Sequence, residues 1–166
     1  MNVAVNDANI IIDLIDLDLY LSIFNLDIEF LTTDFVISEI KRKDQADIIK
    51  KSNKLNIIKS DEKDLLQILE YKNKAKQLSF ADCSVIYLSQ KNKAILLSGD
   101  KPVRNFAEAN GMECHGILWL IDTLVNNNVI TKYLAIQKLK ELNCRNNRLP
   151  QHEIEKLIIK LNNLAD

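Results

Sequence analysis

Four acidic residues, each just past the end of an apolar stretch, are the side chains of this sequence best suited to chemistry. They are Asp7 in VAVNDAN, Glu39 in DFVISEI, Asp82 in LSFADCSVI and Asp100 in AILLSGDKP. In an α/β protein the carboxyl ends of parallel strands gather at one edge of the sheet, and ligand sites form there. Carboxylates brought together at such an edge repel each other unless a divalent cation lies between them. The pattern therefore predicts a metal-dependent enzyme that acts on phosphodiesters.

Taken singly, each of these acids also fits a purely structural role. Asp7 fits a turn that ends a strand, and Glu39 fits a surface pair with Lys43 four residues later. Asp82 fits the last position of a capping box, and Asp100 fits a helix cap. The prediction of a metal site therefore depends on the order of the acids along the chain and not on any one of them.

Short apolar runs alternate with segments of helical periodicity along the whole chain. The runs predict strands at residues 3–6, 28–32, 55–59, 94–98 and 112–115. Helices are predicted at residues 9–24, 33–50, 60–72, 79–90, 102–111, 117–125, 131–142 and 151–164. This alternation is typical of an α/β fold, with a mostly parallel sheet of about five strands covered by helices on both faces. Two acids would then follow strands, while Glu39 would lie one turn into a helix and Asp82 would open one.

Size and charge limit the kinds of protein that this chain can be. A length of 166 residues predicts one domain, which we divide into a core at 1–125 and a helical extension at 126–166. The net charge of −1 excludes a general polyanion binder, so contacts with nucleic acid must come from local basic patches. We find no run of about 18 apolar residues, so we expect no membrane-spanning helix.

The cysteine pattern predicts a reducing compartment. The chain has three cysteines, an odd number, and they are widely spaced with no CxxC motif. This pattern argues against both a disulfide framework and a zinc site, and it favours a cytoplasmic location.

In their order along the chain, the four acids and their neighbours resemble the PIN-domain nucleases. The family pattern is D-x-[SN], then E, then A-D, then [TS]-x-D. The corresponding pieces here are Asn6-Asp7-Ala8-Asn9, Ser38-Glu39, Phe80-Ala81-Asp82 and Leu97-Ser98-Gly99-Asp100. The resemblance covers residues 3 to 124, and the tail is similar to that of bacterial PIN proteins with an extended helical C-terminus. It implies a PIN-like three-layer α/β/α sandwich with extra C-terminal helices.

The resemblance also implies an activity and a set of roles. The activity is a Mg²⁺- or Mn²⁺-dependent endoribonuclease, with RNA as its substrate and products that carry a 5′-phosphate and a 3′-hydroxyl. The four acids would hold one or two of these ions. Asn9 would brace Asp7, and Ser98 would hydrogen-bond a carboxylate or a water molecule. Lys101 and Arg104 would contact backbone phosphates.

Within this family, the resemblance implies either a protein like the VapC toxins of bacterial toxin–antitoxin pairs or a related bacterial PIN protein with an extended helical C-terminus. The first of these implies an antitoxin protein as a partner, and the C-terminal helices could pack against it, form a homodimer or complete the core. Without metal, we expect at least one of the four acids to have a raised pKa, because its charged neighbours disfavour ionisation.

Two alternatives remain at this stage. One is a haloacid-dehalogenase-like phosphatase that uses Asp16 and Asp18, because the segment from Asp13 to Asp18 contains a D-x-D pattern after an apolar run. The helical period of this segment and the absence of the usual glycine argue against it. The other is a catalytically inactive PIN fold that acts as a binding protein, and the presence of all four acids argues against that.

Overall fold

Five short parallel strands form the centre of the molecule, and the order in which they pair fixes where a site can form. The computed structural model describes residues 2–145 and 149–164. The sheet has the order β3-β2-β1-β4-β5, and each neighbouring pair is parallel. Its strands are β1 (Asn2–Asn6), β2 (Ile28–Thr33), β3 (Asn56–Ile58), β4 (Ile95–Leu97) and β5 (Cys114–His115).

Helices follow the strands and cover the sheet. They are α1 (Ala8–Asp16), α2 (Asp34–Glu39), α3 (Lys43–Ser52), α4 (Glu62–Lys74), α5 (Phe80–Asn92), α6 (Lys101–Ala109), α7 (Ile117–Asn126), α8 (Lys132–Arg145) and α9 (Gln151–Asn162), with a 3₁₀ turn at Ser22–Asn25. Because β1 leads to β2 on one side and β3 leads back to β4 on the other, right-handed connections would place the helices of these two crossovers on opposite faces of the sheet. The predicted α/β fold with a parallel five-stranded sheet is therefore confirmed. Within residues 2–145 and 149–164, we find no helix both long and apolar enough to cross a membrane.

The strand order reverses at β1, which is the central strand. From β1 the chain adds β2 and β3 on one side, and later β4 and β5 on the other. β1 pairs with β4 so that Asn6 faces Leu97. In parallel sheets the point of reversal leaves a crevice beyond the carboxyl ends of the two central strands. The residues just after Asn6 and Leu97 border that crevice.

Two of the predicted helices are shorter than expected. The helix predicted at 9–24 ends at Asp16, because Asp18 adopts a left-handed backbone with φ of 58° that an α-helix cannot contain. The helix predicted at 33–50 is two helices, α2 and α3. Ile40 separates them with an extended backbone and a buried side chain, so burying that side chain turns the chain. Glu39 is consequently the last residue of α2, not a residue one turn into a longer helix.

The C-terminal helices pack onto the rest of the molecule. α8 contacts α9, and α7 contacts both of them. Ala135, Leu139 and Ile154 supply fully or almost fully buried side chains to this packing. The boundary between a core at 1–125 and an extension at 126–166 stays a prediction.

Candidate functional site

An open cleft at the carboxyl ends of β1 and β4 brings together the acids that the sequence singled out. Its volume is about 280 Å³. The lining residues are Asp7, Ala8, Asn9, Ile12, Asp13, Glu39, Asp82 and Asp100. We call this the acidic cleft. Among the described residues that line it there are five acids and no lysine, arginine or histidine.

A larger cavity of about 530 Å³ lies elsewhere, along one face of α8. Tyr133 and Ile136 contribute to its wall, and its surface is mainly apolar. It has no concentration of charge comparable to that of the acidic cleft. The smaller cleft is therefore the candidate site.

Asp7 is held rigidly at the end of β1. Its backbone N–H donates to the carbonyl of Leu97 across the sheet at 2.9 Å. Its carboxylate caps α1 by accepting the N–H of Ala8 at 2.7 Å, on Oδ1. Oδ2 accepts two more hydrogen bonds, from Nδ2 of Asn9 at 2.8 Å and from Oγ of Ser98 at 2.7 Å. These hydrogen bonds fix the orientation of the side chain, and only 2% of the residue is exposed.

The pKa of Asp7 is raised from 3.8 to about 6. Burial is the largest cause, and the charges of Asp82 and Glu39 raise the pKa further. The hydrogen bonds from Ser98 and Ala8 oppose this rise without cancelling it. The sequence led us to expect a raised pKa in this cluster, but from charge repulsion; removal of the carboxylate from water is the larger cause.

Two side chains tie the carboxyl end of β1 to the loop after β4. Ser98 donates to Asp7 and accepts the backbone N–H of Asp100 at 3.1 Å. Asn9 donates to Asp7 and accepts the N–H of Gly99 at 2.9 Å on Oδ1. A Cβ at Gly99 would lie only 3.3 Å from that Oδ1, so a side chain there would disturb the contact. These bonds place Asp100 beside Asp7 although the two are far apart in sequence.

Glu39 and Asp82 approach the cleft from two helices that contact each other. Asp82 accepts the backbone N–H of Ser79 at 2.6 Å, and the Ser79 hydroxyl accepts the N–H of Asp82 at 3.0 Å. This is the predicted capping box, so Asp82 both caps the first turn of α5 and lines the cleft. The pKa of Glu39 is raised, first by burial and then by the charge of Asp82, while a hydrogen bond from Ser79 opposes the rise. Because α2 ends at Glu39, Lys43 does not follow it on the same helix.

The oxygen donors of the cleft suit a hard divalent cation. In the described part of the chain, no three His, Cys, Asp or Glu side chains are grouped closely enough to hold a metal ion together. Mg²⁺, however, usually keeps several water molecules and binds only one or two protein carboxylates directly. Carboxylates that line an open cleft without a cationic side chain fit such a hydrated ion. They do not form the closed cage of a structural metal site.

The two predicted phosphate contacts lie at the edge of this region. Lys101 begins α6 directly after Asp100, and Arg104 follows one turn later. Both are exposed, and neither lines the acidic cleft. Arg104 is near β5, where its charge acts on the Cys114 thiol. A role in binding phosphate stays a prediction for both residues.

The phosphatase alternative is wrong in its placement of the aspartates. Asp16 is the last residue of α1, at the far end of that helix from Asp7, and it accepts hydrogen bonds from Arg42 at 2.8 and 3.0 Å. Asp18 has a side chain that is 88% exposed and lies 3.5 Å from the ammonium group of Lys138. A D-x-D nucleophile would have to follow a strand at the sheet edge, whereas Asp16 ends a helix and Asp18 comes just after it.

Sequence reasoning missed the fifth acid of the cleft. Asp13 lines it together with Asn9 and Ile12. Residues three and four apart lie on the same face of a helix, so the position of Asn9 at the start of α1 was the signal that could have identified Asp13. The D-x-D pattern drew attention to Asp13 for a different reason.

Comparisons with known proteins agree with this geometry at the level of the fold. A family model described as a PIN domain (DUF3368) matches residues 3–163. The chain is similar to VapBC2 from Rickettsia felis bound to a DNA fragment from their promoter, with 16% identity and a TM-score of 0.51 over 69% of this chain and 98% of that chain. It is also similar to a toxin–antitoxin complex from Klebsiella pneumoniae, with 17% identity and a TM-score of 0.47 over 58% of this chain and 86% of that chain. No curated protein matches the sequence.

Proposed function

The chain belongs to the PIN-domain family, and on that premise we propose that it is a Mg²⁺- or Mn²⁺-dependent endoribonuclease that works in the acidic cleft. One observation carries the proposal: the four acids of the family pattern line a single cleft, and no basic residue is among the described residues that line it. Negative charge gathered in this way is unfavourable unless a cation neutralises it. The same charge would repel RNA phosphates, so substrate binding also depends on that cation.

The acids have different positions relative to such an ion. Asp7 would hold it from the floor of the cleft, because Oδ1 accepts only one of the hydrogen bonds on this carboxylate and keeps the capacity to accept another partner. Glu39, Asp82 and Asp100 would bind it from the sides, directly or through water. When bound, a divalent ion supplies neutralisation of the phosphate and favours ionisation of the attacking water.

The chain's own contribution is to keep these oxygens in place. Ser98 and Asn9 lock the Asp7 carboxylate, so it does not have to reorganise when the ion and the substrate arrive. With a pKa of about 6, most Asp7 side chains are ionised at pH 7 and ready to bind a cation. Ser98 also orients the backbone at Asp100, which couples two acids through one hydroxyl group.

The family resemblance gives the direction of bond cleavage. A water oxygen bonds to phosphorus, the bond from phosphorus to the 3′-oxygen breaks, and the 3′-oxygen takes up a proton. The products carry a 5′-phosphate and a 3′-hydroxyl. A 5′-phosphate-dependent exonuclease degrades such fragments, so treating the products with this enzyme shows whether they carry a 5′-phosphate.

A cleavage assay tests the proposal. Single-stranded and structured RNA are incubated with Mn²⁺ and the wild-type protein or Asp7→Asn, Asp100→Asn or Asp18→Asn. We expect the first two variants to lose at least about 100-fold in rate, as for the loss of a charged group that stabilises the transition state. Asp18→Asn is the matched control, an acid-to-amide change outside the cleft, and it should cut as the wild type does.

The outcomes separate the competing functions. Equal cutting by all the variants would mean that the cleft acids are not catalytic. No cutting by any protein, the wild type included, would favour the inactive binding protein. Hydrolysis of a small phosphomonoester that is lost in Asp18→Asn would restore the phosphatase alternative.

We also propose that the protein is the toxin of a toxin–antitoxin pair, with an antitoxin protein and a second copy of the chain as its partners. The support is the PIN family together with a fold like that in the VapBC2 structure. Expression of the wild type should arrest bacterial growth, and Asp7→Asn should relieve the arrest. Co-expression of a small protein encoded next to this gene should restore growth. Normal growth with the wild type would contradict the toxin role without touching the nuclease proposal.

A further inference from the structure

Two acids of the cleft, Glu39 and Asp82, belong to helices that are joined by a buried pair of hydroxyl groups. Oγ1 of Thr33 and Oγ of Ser84 lie 2.7 Å apart. Thr33 is the N-cap of α2, whose last residue is Glu39. Ser84 lies in the first turns of α5, two residues after Asp82. Thr33 and Ser84 are 2% and 0% exposed, so water does not compete for this contact.

The number of hydrogens fixes the direction of the hydrogen bond. The Ser84 hydroxyl has one hydrogen, and it donates that hydrogen to the carbonyl of Ala81 at 2.6 Å. Thr33 must therefore donate to Ser84. Oγ1 of Thr33 in turn accepts the backbone N–H of Val36 at 3.3 Å. A continuous path of hydrogen bonds thus runs from the first turn of α2 to the first turn of α5.

This path fixes the position of α2 along α5. Thr33, at the start of α2, meets Ser84, while Glu39, at its end, meets Ser79, the N-cap that precedes α5. The start of α2 therefore lies beside a later residue of α5 than the end of α2 does. Between these ends the rings of Phe35 and Phe80 pack edge to face with centroids 5.0 Å apart.

The aromatic contact alone does not define a register, since ring contacts tolerate small shifts. The hydroxyl pair does, because a shift of one residue would leave the buried hydroxyl hydrogen of Thr33 without its acceptor on Ser84. A helix of six residues such as α2 is too short to be stable alone, so its position depends on these contacts.

We propose that Thr33 and Ser84 are positioning residues of the acidic cleft, which set the separation between the carboxylates of Glu39 and Asp82 through their hydrogen-bonded hydroxyl groups. This inference rests on the proposed metal-dependent function. Neither hydroxyl lines the cleft. Both act through the helices that carry the two acids.

The test compares Ser84→Ala and Thr33→Val with two controls. Thr33→Ser keeps both the hydroxyl group and the helix cap. Ser89→Ala removes a buried hydroxyl from the same helix, one that has no hydrogen-bond partner among the described residues. Mn²⁺ affinity is measured by isothermal titration at a temperature at which metal-free unfolding curves show every variant to be folded. RNA cleavage then gives kcat and KM for each.

We expect Ser84→Ala and Thr33→Val to weaken Mn²⁺ binding about 10-fold or more, which is typical when a group that orients metal ligands is lost. Thr33→Ser and Ser89→Ala should bind Mn²⁺ within about twofold of the wild type. At Mn²⁺ concentrations that saturate every variant, kcat should fall while KM changes little, because the ion on which RNA binding depends is then in place and the RNA does not contact these hydroxyl groups.

Each outcome has one reading. If the wild type and Ser84→Ala bind Mn²⁺ equally, the positioning role is wrong and the proposed nuclease stands. If the wild type binds no Mn²⁺ and cuts no RNA, the proposed function fails and this inference fails with it. Should Ser84→Ala not fold, Thr33→Val decides the question by the same criterion.

Discussion

Two buried aspartates of this molecule have opposite electrostatic surroundings. Asp7 lies on the floor of the acidic cleft, and Asp64 lies where α4 packs on α5. Both residues are less than a tenth exposed, and both carboxylates accept strong hydrogen bonds. Yet the pKa of Asp7 is raised to about 6, whereas the pKa of Asp64 is lowered.

The donors explain the difference. Asp64 accepts from the ammonium group of Lys91 and the hydroxyl of Tyr87, each at 2.6 Å, and Lys91 is the largest cause of its lowered pKa. Asp7 accepts only from neutral donors, and its charged neighbours are acids. Neutral hydrogen bonds orient a buried carboxylate but do not replace the solvation that burial removes.

The comparison shows how one helix serves two purposes. The first turn of α5 carries Asp82 into the cleft, and its later turns carry Tyr87 and Lys91 to Asp64. The Asp64 pair is complete within the chain. Under the proposed function, a cation from solution would balance the charge of the acidic cleft.

The largest expected effect is a pH dependence that Asp7 causes. Because its pKa in the folded protein is above the unfolded value of 3.8, the folded state binds the proton more tightly, and stability falls as pH rises from about 4 to about 6. At pH 7 the full shift lowers the unfolding free energy by about 3 kcal/mol relative to its value below pH 4. Urea unfolding in EDTA from pH 4 to 7 measures it. Asp7→Asn should remove this part of the slope, and identical slopes would show that Asp7 does not titrate in this way.

Asp64→Asn should have the next largest effect. At pH 7 it should lower the unfolding free energy, whereas Asp7→Asn should raise it. It removes a charge-assisted hydrogen bond and leaves Lys91 without its partner, so the unfolding free energy should fall by about 2 kcal/mol. In the wild type, the stabilisation from Asp64 is present above the normal pKa of an aspartate and is lost as pH falls through the lowered one. Glu62→Gln in the same helix is the control and should change stability by less than about 0.5 kcal/mol. Equal stability of Asp64→Asn and the wild type would remove the contrast with Asp7.

A smaller effect is expected from the ion itself. Mn²⁺ at ten times its dissociation constant should add about 1.4 kcal/mol to the unfolding free energy. For a chain of this size that raises Tm by roughly 3–6 °C. The rise should disappear in Asp7→Asn and persist in Asp64→Asn, as thermal unfolding with and without millimolar Mn²⁺ would show. An equal rise in both variants would place the ion outside the acidic cleft.

The smallest effect concerns the lysine next to the cleft. Lys101→Ala should leave the unfolding free energy at pH 7 within about 0.5 kcal/mol of the wild type, since Lys101 is exposed and does not line the cleft. It should remove one phosphate contact, so the slope of log K for RNA binding against log salt concentration should become smaller by about 1. A loss of more than about 1 kcal/mol in urea unfolding would mean that Lys101 is a hidden partner of the cleft acids. The acidic cleft would then have a lysine partner, as Asp64 has in Lys91.

The sequence was informative where one local rule decides the structure. Strand ends were readable from apolar runs, and parallel pairing then placed Asp7 and Asp100 at one edge of the sheet. The capping box of Ser79 and Asp82 was readable from its spacing, and it is present. These features depend on residues a few positions apart, or on the general geometry of parallel sheets.

Features that depend on tertiary packing could not be predicted in this way. The end of α2 at Glu39 follows from burial of Ile40, which no local pattern indicates. The contact between Asp64 and Lys91 joins two helices across 27 positions of sequence. The dominance of burial in the pKa of Asp7 depends on the depth of the cleft, and that is known only once the helices are packed.

The central position of β1 has a consequence for synthesis on the ribosome. Asp7 and the Ser98 that anchors it are 91 residues apart, so Asp7 leaves the exit tunnel long before β4 can pair with β1. During that interval β1 has one open edge, which is an opportunity for aggregation or for a chaperone. The acidic cleft therefore cannot form on the nascent polypeptide until most of the domain has been translated.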